Sequence, residues 1–137
     1  VRYLLDTDIL SEPAKPRPSR KVMERLAARR DEVATASPVW HELLYGCARL
    51  PASSRRQSLE KYLNEILAPI LAILPYDTAA AAWHAAERAR LEARGRTPPF
   101  VDGQIAAVAR VRGLTLVTRN VGDYRDFDGL VVEDWTA

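Results

Sequence analysis

Four acidic residues and one amide stand at positions where a fold could gather them. Asp6 directly follows the apolar run Tyr3, Leu4 and Leu5, and Glu42 lies one turn beyond Ser37 and Pro38. Asp102 follows the break made by Pro98 and Pro99, while Asn120 and Asp123 follow the β-rich run Leu114 to Thr118. Carboxylates drawn together repel one another and raise each other's pKa unless a divalent cation offsets their charge. All-oxygen ligation selects hard ions, Mg²⁺ or Mn²⁺, which keep several waters and contact phosphate oxygens. The chemistry open to such a set is cleavage of a phosphodiester.

Each residue also has an ordinary reading. Asp6 alone is a turn former or a helix cap, Glu42 a solvated helix residue, and Asp102 an acid that satisfies a helix dipole. Three such accidents at one edge are harder to accept than one site, so Asp6, Glu42 and Asp102 read as site residues. For Asn120 and Asp123 both readings stand. Asp8 reads as a hydrogen-bonding residue. His41 beside Glu42 lacks the second histidine that a zinc-protease helix needs, since position 45 is Tyr45, and it reads as peripheral. Trp83, His84 and Cys47 read as packing residues.

The elements that must position these groups alternate in type. Tyr3 to Leu5, Val33 to Ala36, Leu71 to Leu74, Leu114 to Thr118 and Leu130 to Val132 read as strands. Ser19 is expected to cap a helix that turns Val22, Met23, Leu26 and Ala27 inward, and Ser37 with Pro38 to start another, whose stripe is Val39, Leu43, Gly46, Cys47 and Leu50. Further helices are expected from Ser53 to Leu67, from Asp77 to Gly95, and from Phe100 to Arg112, closed by Gly113. A polar turn holds Gly122 and Gly129. Strands alternating with helices indicate an α/β fold, a mostly parallel sheet of about five strands flanked by helices. In such a sheet ligands bind beyond the carboxyl ends of the strands, where Asp6, Glu42, Asn120 and Asp123 belong. Asp102 must reach that edge from the N-terminal end of its helix.

Composition narrows the classes. The 137 residues fit one domain, residues 1–137, and 47% hydrophobic content rules out intrinsic disorder. Twenty basic and 18 acidic residues give +2, so affinity for nucleic acid by bulk charge is excluded and must be local. From Lys15 to Arg30 seven basic residues face Glu24 alone. Arg17, Arg20, Lys21, Arg25 and Arg29 are either a solvated face or a track for a phosphate backbone. Cys47 is the only cysteine, which excludes a disulfide framework and any zinc site of several cysteines, and a reducing, cytoplasmic setting is expected. The longest apolar run, Ile66 to Leu74, is too short to span a bilayer, and no signal-like apolar region follows the first residues.

Four blocks carry a family resemblance: LLDTDILSE at Leu4 to Glu12, WHELLYG at Trp40 to Gly46, VDGQIAAVA at Val101 to Ala109, and LTLVTRNVGDY at Leu114 to Tyr124. Their ordered set resembles PIN-domain ribonucleases of the VapC toxin type and covers nearly the whole chain. The resemblance implies a PIN-like fold, an Mg²⁺- or Mn²⁺-dependent endoribonuclease, and Asp6, Glu42 and Asp102 as metal-binding acids, with Thr118 to Asp123 supplying the fourth corner. It implies an RNA substrate cut in a single-stranded loop, a homodimer held by helix faces, and a cognate VapB-type antitoxin whose tail covers the acidic cleft. Two positions depart from the family pattern: Asp8 stands where asparagine is usual, and Asn120 where some members carry an acid. Asp123 is the substitute for that acid, and both remain candidates.

Two alternatives come from other classes. Asp6, Thr7 and Asp8 after an apolar strand also resemble the DxD of haloacid-dehalogenase-like phosphatases. Those enzymes need a lysine late in the chain, and the last one here is Lys61. The second alternative is an inactive PIN domain that only binds a partner. The six glycines form neither GxGxxG nor a P-loop, which disfavours the mononucleotide-binding folds.

Overall fold

Leu4 and Leu5 sit at the centre of the molecule because the strand they belong to is covered on both faces, which is why it reads as a continuous apolar run. The computed structural model describes residues 1–137. Its strands are β1 (Tyr3–Leu5), β2 (Val33–Ala36), β3 (Ala72–Leu74), β4 (Thr115–Val117) and β5 (Val132–Glu133). They form one sheet in the order β3-β2-β1-β4-β5, and every neighbouring pair is parallel. The helices are α1 (Thr7–Leu10), α2 (Arg20–Ala28), α3 (Ser37–Ala48), α4 (Ser54–Lys61), α5 (Thr78–Ala93), α6 (Phe100–Val111) and α7 (Val121–Tyr124).

From β1 the chain steps outward to β2 and β3, then returns past β1 to β4 and β5. The reversal falls between β1 and β4, the switch point at which α/β sheets open a crevice for ligands. Registers there are fixed by Leu4 facing Leu116 and Leu5 facing Val117, all four nearly or fully buried. The pairing runs one residue further, since the Asp6 amide donates to the Val117 carbonyl at 2.9 Å. That bond sets the end of β1 beside the end of β4.

Most of the expected elements form where their caps and breakers put them. Ser19, Ser53 and Asp77 each accept a backbone N–H at the start of α2, α4 and α5. Gly113 takes a φ of +66° just past α6, a conformation that favours glycine. Several expectations need correction. Met23 and Ala27 of α2 are exposed and Leu26 is half-buried, so only Val22 is fully inward; the helix is short and its buried face is one side chain wide. The helix from Ser53 stops being α-helical at Lys61 and continues as a π-helical turn, Tyr62–Leu67, which lets Leu63 and Leu67 reach the core. Strand β3 starts at Ala72 rather than Leu71, β5 starts two residues later than Leu130, and the polar turn after β4 contains α7.

The basic segment is partly paired. Arg20 pairs with Glu24 at 3.2 Å, Arg29 with Glu32 at 3.4 Å, Lys15 with Glu12 at 2.8 Å, and the Arg25 guanidinium donates to the Asp134 carbonyl at 3.5 Å. These local pairs offset part of the charge, Arg17, Lys21 and Arg30 make no ion pair, and both readings of the face stand.

Candidate active site

Asp6 leaves β1 with its backbone in the sheet and its carboxylate free to turn into the crevice. One oxygen, Oδ1, accepts the Thr7 amide at 2.8 Å and so caps α1. The other, Oδ2, accepts from the Thr118 hydroxyl at 2.9 Å and faces the Tyr124 hydroxyl at 3.3 Å. Capping and site roles are therefore compatible in one residue. Thr118 is fully buried at the end of β4, and Tyr124 is buried in α7, so the carboxylate is gripped from three elements.

Asp8, two residues on in α1, is held differently. Its Oδ2 accepts the Arg119 amide at 3.1 Å and the Asn120 side-chain amide at 3.2 Å, which bears out the hydrogen-bonding reading. Its Oδ1 is buried with no partner in the chain. A buried carboxylate oxygen left open in this way marks a place for a donor or a cation. Burial, followed by the neighbouring Asp6 charge, pushes the Asp8 carboxyl above its usual range.

Asp6, Asp8, Glu42, Asp102 and Asn120, with Thr7, Val101 and Ile105, line a single cavity of about 260 Å³. Asp102 sits in the first turn of α6, where the helix dipole favours a carboxylate, and it also lines the cavity. Desolvation pushes its carboxyl up to about 6, with further repulsion from Asp6, Asp123 and Glu42. Glu42 projects from the exposed side of α3. Asp123, exposed in α7, does not line the cavity but is close enough to act on Asp102. No three of these acids close on a single point as they stand. The donor set nonetheless suits a hard cation: oxygen ligands only, strong mutual repulsion, and an open buried oxygen on Asp8.

Other residues fall elsewhere. Cys47 is buried, and His84 is buried against α6, its Nδ1 2.8 Å from the Tyr76 hydroxyl. The imidazole lies so close to Gly103 that a Cβ there would overlap its Nε2. Tyr124 escaped sequence reasoning because a lone tyrosine in a polar turn carries no signal; only the fold brings its hydroxyl onto Asp6.

Residues 3–129 match the PIN domain family model. The chain belongs to the PIN domain family. This PIN domain is 33% identical over 135 residues to the toxin FitB of Neisseria gonorrhoeae, covering 96% of this chain and 97% of that one. It is 32% identical over 137 residues to the tRNA(fMet)-specific endonuclease VapC of Shigella flexneri, covering 99% of each. The structure of FitAcB from Neisseria gonorrhoeae superposes with a TM-score of 0.89 at 31% identity, over 97% of both chains. The expected PIN-like fold is thus the observed one, and no helix of the chain is long and apolar enough to cross a membrane.

Proposed function

We infer that this PIN domain is an endoribonuclease toxin, neutralised by a cognate VapB-type antitoxin, and that its hydrolysis of RNA phosphodiesters depends on Mg²⁺ or Mn²⁺. The observation that carries the reading is the cavity at the β1/β4 switch point, which Asp6, Asp8, Glu42 and Asp102 line from three places in the sequence. Relatives named as toxins and ribonucleases match this chain along nearly its full length. The homodimer and the cytoplasmic setting belong to the same reading.

Asp6, Glu42 and Asp102 would hold the cation, with Asp123 as the fourth acid. When bound, the cation supplies Lewis acidity at the phosphate and makes water acidic enough to attack near neutral pH. The chain's own residues do the rest. Thr118 and Tyr124 fix the Asp6 carboxylate by donating to Oδ2. Asn120 and the Arg119 amide hold Asp8 Oδ2, which leaves Asp8 Oδ1 without a partner in the chain. Asp102, whose proton is lost only near pH 6, must give it up before the site carries its full charge.

The phosphatase alternative has no comparable support. It needs a lysine late in the chain to neutralise a phospho-aspartate, and no lysine follows Lys61. The test is the chemistry of the cut ends. Water attacking phosphorus with the 3′ oxygen leaving gives 5′-phosphate and 3′-hydroxyl ends. Mass spectrometry of fragments from total RNA should find those ends, and cyclic 2′,3′-phosphates would contradict the mechanism.

A further inference from the structure

Beside the acidic cavity lies a second one of about 280 Å³, lined by Ser37, Pro38, His41, Tyr76, Val101 and Gln104. Val101 belongs to both walls. Helix α3 gives His41 to one cavity and the next residue, Glu42, to the other. Helix α6 gives Gln104 to one, and Asp102 and Ile105 to the other. The shared Val101 makes the two hollows neighbours.

The second cavity differs from the first in character. It contains no carboxylate, lysine or arginine, so it suits neither a phosphate nor a basic side chain. It offers flat rings and a polar edge. Tyr76 is fixed at both ends: its amide donates to Ser37 Oγ at 3.2 Å, and its hydroxyl lies 2.8 Å from His84 Nδ1. His41 is stacked on Tyr45 with the rings 9° from parallel. No group of the chain hydrogen-bonds to the half-buried Gln104 side-chain amide, which keeps two donors and one acceptor for a ligand. Side chains of this kind recognise unstacked bases: rings take the base face, and an amide reads its edge.

We propose that this cavity is a nucleobase subsite, in which Gln104 reads the edge of the base next to the scissile phosphate and Tyr76 and His41 wall it in. The proposal rests on the ribonuclease reading above. The neutrality of the cavity argues against a basic side chain as the occupant, since the neighbouring acids would draw that charge instead.

Two measurements test it together. In EDTA, the four nucleoside 5′-monophosphates are titrated while the Val101 methyl groups and the Gln104 side-chain amide are followed by NMR. One base should shift both, and in Gln104→Ala the Val101 response should need about tenfold more nucleotide. Separately, an RNA pool randomised around the cut is digested by wild type and by Gln104→Ala. Preference at one adjoining position should flatten about tenfold, while rates on the disfavoured bases change less than about twofold.

A uniform loss over all bases, or an unchanged preference, overturns the base-reading role. Silence of Val101 and Gln104 to all four nucleotides overturns the subsite. If antitoxin shifts those signals and nucleotides do not, the cavity belongs to the partner and the proposal falls. If nucleotides shift them but wild type cuts no RNA, the subsite stands and the ribonuclease reading alone fails.

Discussion

Asp102 concentrates the electrostatic problem of the site. Its carboxyl is desolvated and faces Asp6, Asp123 and Glu42, so it titrates near 6 rather than in the usual carboxylate range. An acid whose pKa is raised by folding stabilises the folded state fully at low pH, below its unfolded pKa, and that contribution is lost as pH rises through the folded value. Metal-free protein should therefore lose stability between about pH 4 and pH 6.5. Asp102→Asn removes the repulsion. In EDTA at pH 7.5 the variant should melt about 2–5 °C higher than wild type, the gap should narrow toward pH 4, and RNA cleavage should disappear. Scanning calorimetry at the two pH values checks it. A lower melting point with cleavage intact would make Asp102 a structural residue only.

Helix α6 gives Asp102 to the acidic cavity and Gln104 to the neighbouring one, and packs by Gly103 against α5. The imidazole of His84 fills the space a Cβ would need at Gly103. It cannot easily retreat, because Tyr76 holds its Nδ1 and the Phe100 ring lies 4.8 Å from its centroid. Gly103→Ala should cost about 1–3 kcal/mol in urea denaturation. Adding His84→Ala should make the double variant less unstable than the two single losses summed; strict additivity would show that the two residues do not press on each other. Elements of this length were legible in the chain because Ser19, Ser53, Asp77 and Gly113 mark their ends. The shortest were not. Helices α1 and α7, four residues each, have too few positions to show a period. The π-helical turn at Tyr62–Leu67 follows from packing against the core, which no local pattern announces. The acids at Asp6, Glu42 and Asp102 could be picked out by their place after strands and breaks. The grip of Tyr124 on Asp6, between residues 118 positions apart, could not be.

Across the whole molecule, the sheet order decides where chemistry is possible. The chain reverses direction between β1 and β4, and the end of β4 delivers Thr118 beside Asp6. The helices after β2 and β3 swing Glu42 and Asp102 to the same opening. With a net charge of +2, the molecule has little bulk attraction for RNA. A cation held by the acids would supply the missing positive charge where phosphate must come, which makes metal the hinge of the proposed activity. The most direct measurement is the rate of cleavage of total RNA by the purified chain as free Mn²⁺ is raised from an EDTA-stripped start. Cleavage should be absent in EDTA, rise saturably with Mn²⁺, and be lost at every Mn²⁺ concentration in Asp6→Asn. Cleavage that persists in EDTA, or that Asp6→Asn retains, would contradict the account.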